Sequence, residues 1–141
     1  MPELKSDSEL KQVLSEARTV AVLGAHSDAM RPAYSVPRYL QLNGYRVLPV
    51  NAMQAGGELF GEKVRATLAE LGEPVDIVDV FRRADKLDEH LADLLAMSPR
   101  PRLVWLQQGI HNDAFAQKLI EAGIDVVQDR CAKVEHARLL K

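Results

Sequence analysis

Short, nearly continuous apolar runs recur along this chain, separated by longer segments of different character. An apolar run of about four to eight residues, bounded by turn residues, is typical of a strand buried on both faces of a parallel sheet. Five runs fit this description, the fifth more weakly than the others: Thr19–Leu23, Tyr45–Val50, Val75–Phe81, Leu103–Leu106 and Ile124–Val127. The chain is therefore predicted to build a five-stranded sheet.

The segments between these runs have helical spacing. Ser6 to Glu9 form a capping box ahead of an amphipathic segment. Tyr34–Asn43, Ala84–Met97 and Asp113–Ala122 are each followed by a glycine or proline that stops a helix. Strands that alternate with helices predict a doubly wound α/β fold with one mostly parallel, Rossmann-like sheet. We expect the strand order 3-2-1-4-5, with the flavodoxin-like order 2-1-3-4-5 as the alternative.

Composition limits the class of protein. A chain of 141 residues with 47% hydrophobic and 27% charged residues is typical of one globular domain, here residues 1–141. The net charge of -2 and the pI near 6.1 lack the basic excess of nucleic-acid-binding proteins. Cys131 is the single cysteine, and the sequence shows neither a signal peptide nor a membrane-spanning run. We therefore expect a cytoplasmic protein that binds neither nucleic acid nor membrane.

The residues after the first predicted strand suit an anion better than a dinucleotide. Gly24 ends that strand ahead of a helix, and helix N-termini favour phosphate. The fingerprint G-x-G-x-x-G is incomplete, because His26 stands where its second glycine belongs. Asn51 replaces the acidic residue that would hold an adenosine ribose. These departures argue against NAD.

Three polar side chains in the same turn provide another possibility. Ser27, Arg31 and Ser35 offer hydroxyl groups and a guanidinium, which suit phosphate oxygens. A capped helix with a solvated arginine would show the same residues. The turn by itself leaves both interpretations open.

Several sequence blocks together resemble the small bacterial CoA-binding proteins. The match extends from about Thr19 to Leu139. The blocks are Ala21–Gly24 with Ser27, Arg31-Pro32, Ser35, Tyr39-Leu40 and Gly44-Tyr45; Pro49–Asn51; Gly61–Lys63; Pro74–Arg83; and Asp129–Cys131 with Lys133 and Glu135–Leu139. That family resembles the CoA-binding N-terminal domain of the succinyl-CoA synthetase alpha chain. The resemblance implies a Rossmann-like fold that carries coenzyme A.

The resemblance also implies which residues contact CoA. The first loop would wrap the phosphates, the end of the second strand would flank the adenosine, and the end of the fourth strand would face the pantetheine arm. Arginines from three loops would supply positive charge. The residues implied are Gly24, Ala25, His26, Ser27, Arg31, Ser35, Asn51, Ala52, Phe81, Arg82, Gln107, Gln108, Gly109 and Arg130.

The remaining reactive side chains give weaker signals. His111 and His136 lack the spacing of zinc ligands, so we predict no metal site. Cys131 is expected to pack in the core, although a mixed disulfide with the CoA thiol is an alternative. No Ser/His/Asp arrangement or other catalytic constellation is apparent.

These observations predict a protein that binds coenzyme A or acyl-CoA at the carboxyl ends of the strands, without catalysis of its own. Two alternatives stay open. One is an NAD(P)-linked or acyl-CoA enzyme that needs a partner subunit, and the other is a nucleotide-sensing regulatory subunit. The sequence also leaves open a homodimer or an unknown protein partner.

Overall fold

A computed structural model describes residues 3–141, and its centre is a sheet of five parallel strands. The strands are β1 (Thr19–Leu23), β2 (Arg46–Val50), β5 (Ile77–Val80), β6 (Leu103–Leu106) and β7 (Asp125–Val127). A separate antiparallel hairpin joins β3 (Glu58–Leu59) and β4 (Glu62–Lys63). The predicted α/β class with a five-stranded parallel sheet is confirmed.

The strand order differs from our first expectation. The strands lie in the order β2-β1-β5-β6-β7, which is the alternative 2-1-3-4-5 and not 3-2-1-4-5. The expected order would have placed the strand containing Pro49 inside the sheet. Proline has no N–H to donate, so it is confined to edge strands. In the structure β2 is an edge strand, and the Pro49 carbonyl accepts a hydrogen bond from the Arg65 N–H on its outer side.

Helices cover both faces of the sheet. The α-helices are α1 (Asp7–Glu16), α2 (Pro32–Leu42), α3 (Leu91–Ala96), α4 (Asp113–Glu121) and α5 (Ala132–Leu140). Three 3-10 helices span Ala52–Gln54, Leu68–Glu70 and Ala84–His90. Among the residues from 3 to 141, no helix is both long and apolar enough to span a membrane.

Each face of the sheet packs against its own set of helices. On one face, α1, α2 and α5 cover Val22, Ile77 and Trp105. On the other, α3, α4 and two of the 3-10 helices cover Val78 and Val104. The prediction that Trp105 belongs to the core is confirmed, since its side chain is fully buried.

Local structure departs from the sequence prediction in several places. The capping box is confirmed, because the Ser6 hydroxyl accepts from the Glu9 N–H and donates to the Glu9 carboxylate. The helix predicted over Ala84–Met97 is instead a 3-10 helix followed by α3. Pro37, expected in a first turn, lies inside α2. The β3–β4 hairpin and α5 were not predicted.

Asp79 is a buried carboxyl group in the middle of this sheet. It lies on β5 between Val22 of β1 and Trp105 of β6, and only 1% of it is exposed. Neither of its carboxyl oxygens has a hydrogen-bond partner within residues 3–141. Burial raises the pKa of Asp79 well above its ordinary value, because the charged form loses its hydration. The folded protein therefore holds this group in its neutral form over a wider pH range than the unfolded chain does.

We expect Asp79→Asn to stabilise the protein increasingly as pH rises from about 4, the pKa of an unfolded aspartate. A raised folded-state pKa means that wild-type stability is retained below that pH and lost as pH rises towards the folded pKa. The gap between the two proteins should widen by up to about 1.4 kcal/mol per pH unit in that window. Urea unfolding from pH 4.5 to 8 measures it.

Asp88→Asn is the control, because this exposed carboxylate lies 4.0 Å from Lys118 in a surface ion pair. Such a pair contributes about 0–1 kcal/mol, so little change is expected. Parallel stability curves for wild type and Asp79→Asn would contradict the account of Asp79.

Candidate functional site

A crevice of about 690 Å³ opens at the carboxyl edge of the sheet. The chain winds outward from β1 to β2 and then returns to place β5 on the other side of β1. Ligands of open α/β sheets bind at such a reversal, and this volume lies in the range of small-molecule sites. The lining residues are Arg31, Pro32, Ala33, Phe81, Arg82, Arg83, Ala84, Gln107, Gln108, Gly109, Ile110 and Cys131.

Gly24 allows β1 and β5 to end close together at this edge. Its φ of +93° is in the left-handed region, and a Cβ atom built there would lie 2.8 Å from the Phe81 carbonyl oxygen. The Gly24 N–H donates to the Val50 carbonyl at 2.8 Å, and the Phe81 N–H donates to Leu23 at the same distance. A side chain at position 24 would therefore push Phe81 away from the end of β1.

A hydrogen bond joins the loop after Gly24 to α2, and its acceptor is a helix carbonyl that lacks its usual partner within the helix. Pro37 cannot donate to the carbonyl four residues earlier, that of Ala33. The His26 N–H donates to this carbonyl instead, at 3.3 Å. The His26 Nδ1 in turn accepts from the Asp28 N–H at 3.0 Å. His26 thus holds the loop in place, while Ser27 is exposed.

The N-terminus of α2 faces the crevice without a side-chain cap. Arg31 is the N-cap residue and forms no capping hydrogen bond, and Pro32 is the first residue of the helix. Both line the crevice, as does Ala33. Pro32 has no N–H, and the Tyr34 and Ser35 N–H groups donate to the Arg31 carbonyl. The helix dipole is therefore the main feature that makes this end attractive to an anion.

Three arginines add positive charge to the crevice lining. Arg31, Arg82 and Arg83 all contribute to it. Each has a carboxylate partner: Asp28 at 3.7 Å from Arg31, Glu89 at 3.4 Å from Arg82, and Asp85 at 3.3 Å from Arg83. These pairs are solvent-exposed, and exposed ion pairs contribute little free energy. A phosphate can therefore replace the carboxylates at low cost.

Arg82 has a second partner that the other two arginines lack. Its Nε donates to the Nε2 of His90 at 3.1 Å. His90 is half-buried, and burial together with the Arg82 charge lowers the pKa of His90. The lowered pKa favours an uncharged imidazole, which can accept this hydrogen bond.

Amide groups and a thiol lie at the other end of the crevice. The Gln107 side chain is 4% exposed, and its Oε1 accepts from the Ala132 N–H at 3.1 Å. Gly109 donates its N–H to the Asp129 carboxylate at 2.6 Å. Cys131 packs against the core and also lines the crevice, so the expectation of a purely packing cysteine describes only part of its environment.

The Asn51 side chain, which was predicted to flank the adenosine at the end of β2, forms hydrogen bonds within the protein. The Asn51 Nδ2 donates to the Ala25 carbonyl at 2.7 Å, and its Oδ1 accepts from the Met53 N–H at 2.8 Å. Asn51 therefore ties the ends of β1 and β2 together. Ala52 is exposed at the start of a 3-10 helix.

Arg130 does not line the crevice. Its guanidinium donates to Glu135 at 3.0 Å and to the Lys5 carbonyl at 3.3 Å. Arg138 donates to both Glu135 and Asp7, and hydrogen bonds from Arg138 and Arg130 lower the pKa of Glu135. This network joins α5 to α1, and it explains why the charge of Arg130 is directed away from the crevice.

The structure thus brings together part of the predicted site. The predicted residues that line the crevice are Arg31, Phe81, Arg82, Gln107, Gln108 and Gly109. Those outside the lining are Gly24, Ala25, His26, Ser27, Ser35, Asn51, Ala52 and Arg130. Sequence reasoning missed Arg83, although its signal was the arginine pair that follows the third strand. Within the described part of the chain, no group of three or more His, Cys, Asp and Glu side chains could hold a metal ion.

Comparison with known proteins shows which family this chain resembles. A family model for the CoA binding domain matches residues 18–137. The uncharacterized protein YneT of Bacillus subtilis (strain 168) is 36% identical over 132 residues, which cover 94% of this chain and 95% of YneT. Two solved structures share the fold over nearly their whole length.

The structure of cell-free ID.343 from Thermus thermophilus is 57% identical, with a TM-score of 0.93 and coverage of 96% of this chain and 100% of that one. A hypothetical protein from Pyrococcus horikoshii OT3 is 28% identical, with a TM-score of 0.90 and coverage of 97% and 94%. The fold is that of an α/β protein with a five-stranded parallel sheet flanked by helices. The chain belongs to the CoA binding domain family, and the resemblance noted in the sequence is confirmed.

We expect Gly24→Ala to destabilise the protein by about 3 kcal/mol, because it combines a left-handed φ with a backbone clash. Gly44→Ala is the matched control: its φ is +97°, and nothing lies within 4 Å of a Cβ there. It should cost about 1–2 kcal/mol through backbone strain alone. Urea unfolding of both variants separates the two contributions, and equal losses would show that the Phe81 contact is unimportant.

Proposed function

We propose that this protein binds coenzyme A or acyl-CoA in the crevice at the carboxyl ends of the strands. Membership of the CoA binding domain family suggests CoA as the ligand. The observation that carries the location is the convergence of Arg31, Arg82 and Arg83 on one crevice beside the uncapped N-terminus of α2. No other described pocket combines several arginines with a helix N-terminus.

The chemistry of CoA fits the two ends of this crevice. CoA carries a pyrophosphate and a 3′-phosphate, and guanidinium groups form strong, charge-assisted hydrogen bonds with phosphate oxygens. We place these phosphates at the arginine end. The pantetheine arm contains amide groups, so we place it along Gln107, Gln108 and Gly109, with its thiol towards Cys131.

A dinucleotide fits this arrangement less well. The turn after β1 contains His26, whose side chain is half-buried and hydrogen-bonded to the loop backbone. Asn51, at the place of the usual ribose-binding acid, has its amide engaged with Ala25 and Met53. Both features favour CoA over NAD.

We further propose that the chain binds its ligand without catalysis of its own. The charged groups that line the crevice are guanidinium groups, which donate hydrogen bonds and have no acceptor. The amide of Gln107 is fixed by Ala132. Such groups bind and orient a ligand.

A ligand panel tests this function. We expect CoA and acetyl-CoA to raise the melting temperature of ligand-stripped protein, whereas NAD and NADP leave it unchanged. A ligand at about 100 times its dissociation constant adds about 2.7 kcal/mol of stability. Acetyl-CoA should be recovered intact after prolonged incubation. A shift with NAD alone would overturn the CoA proposal, and turnover of acetyl-CoA would overturn the absence of catalysis.

Arginine substitutions test the location. Arg31→Ala and Arg82→Ala should each weaken CoA binding by about ten- to a hundredfold, since a hydrogen bond to a charged group contributes about 1.5–3 kcal/mol and each 1.4 kcal/mol is a factor of ten. Titration calorimetry measures the dissociation constants. Arg38→Ala is the matched control, because Arg38 is exposed on α2, outside the crevice lining, and contacts Gln41. An equal loss in Arg38→Ala would indicate a long-range charge effect and not contact in the crevice.

A further inference from the structure

We propose that His90 is a positioning residue for Arg82, and that only its uncharged imidazole holds the Arg82 guanidinium towards the ligand's phosphates. This inference rests on the proposed function. It goes beyond that function, because it predicts that anion affinity falls in acid through a side chain outside the crevice lining.

The geometry of the pair carries the inference. Arg82 lines the crevice and His90 does not, so the imidazole contacts the guanidinium from outside the crevice lining. The 3.1 Å hydrogen bond runs from the Arg82 Nε to the His90 Nε2, which must therefore be an acceptor with its proton on the other ring nitrogen. Arg82 also forms a 3.4 Å ion pair with the exposed carboxylate of Glu89. His90 is thus the better placed of the two anchors.

Protonation of His90 would remove this anchor. A protonated imidazole has N–H groups at both nitrogens, so Nε2 would face the Arg82 Nε as donor against donor and charge against charge. Arg82 would then have to leave its position. The charged groups that face His90 are Arg82 from the end of β5, Glu89 from its own 3-10 helix and Asp93 from α3.

These neighbours determine the pH range in which His90 becomes protonated. The two carboxylates favour the protonated imidazole, whereas burial and Arg82 oppose it. The opposing effects are the larger, so the pKa of His90 is lowered from its ordinary value near 6.5. At neutral pH the anchor is therefore intact.

The experiment measures affinity against pH with dephospho-CoA as the probe. The second pKa of a phosphate monoester is about 6, so the 3′-phosphate of CoA would itself titrate in this window. Dephospho-CoA lacks that group. For the wild-type protein we expect the dissociation constant to rise in acid by about tenfold in all, and to level off once His90 is protonated, because the protein then binds as one that lacks this anchor.

Two variants of His90 separate positioning from folding. We call the weakening of binding in acid the acid limb. His90→Gln offers an amide oxygen to the Arg82 Nε and cannot be protonated, so it should bind like wild type at pH 7.5 and should not show the acid limb. His90→Leu should bind about tenfold more weakly at every pH. In an Arg82→Ala background, His90→Leu should have no further effect, because His90 acts through Arg82.

His26 provides the control, since it is a second histidine near the site whose Nδ1 accepts a hydrogen bond. His26→Asn keeps an acceptor there, and the acid limb should persist in this variant. Loss of the limb in His26→Asn, or its persistence in His90→Gln, would overturn the role of His90 while leaving CoA binding established. Absence of binding by wild type to both CoA and dephospho-CoA would overturn the proposed function and this inference together.

Discussion

The missing N–H of Pro49 is the constraint on which the rest of the site depends. It leaves β2 without a donor at that residue, so β2 occupies the edge of the sheet, with the Arg65 N–H bound to its outer side. With β2 at the edge, the chain returns across β1 and pairs β5 on the opposite side. The reversal between β1 and β5 then falls where Gly24 meets Phe81, and the crevice opens there.

A second proline shapes the loop beside that crevice. Proline inside a helix costs about 3 kcal/mol, partly because the carbonyl four residues earlier loses its donor. In α2 the Ala33 carbonyl regains a donor from the His26 N–H, so part of that cost is offset. The same hydrogen bond fixes the loop between β1 and α2. The path of the backbone around the crevice is therefore set by contacts within the protein.

Much of this fold, but less of the site, could be predicted from the sequence. The apolar runs located all five strands, because buried parallel strands leave no room for polar alternation. The strand order was also readable from Pro49, whose edge preference distinguishes the two doubly wound orders. The hydrogen-bond partners of the Arg130 and Asn51 side chains could not be predicted from the sequence. Arg130 bonds to Glu135, which lies on α5, a helix that the sequence analysis did not predict. The Asn51 amide bonds to Ala25, which is 26 residues away in the sequence.

The charges around the crevice suggest how a polyanion can enter without a change of fold. Arg31, Arg82 and Arg83 each pair with an exposed carboxylate. Such pairs keep like charges from repelling one another, yet they bind too weakly to compete with a multiply charged ligand. A phosphate would exchange for these partners one by one. Arg82 would still keep its bond to His90 through Nε, which leaves its two terminal nitrogens for the ligand. Of the three arginines at this edge, Arg82 would thus keep its position when a ligand binds, because its hydrogen bond to His90 does not compete with the ligand.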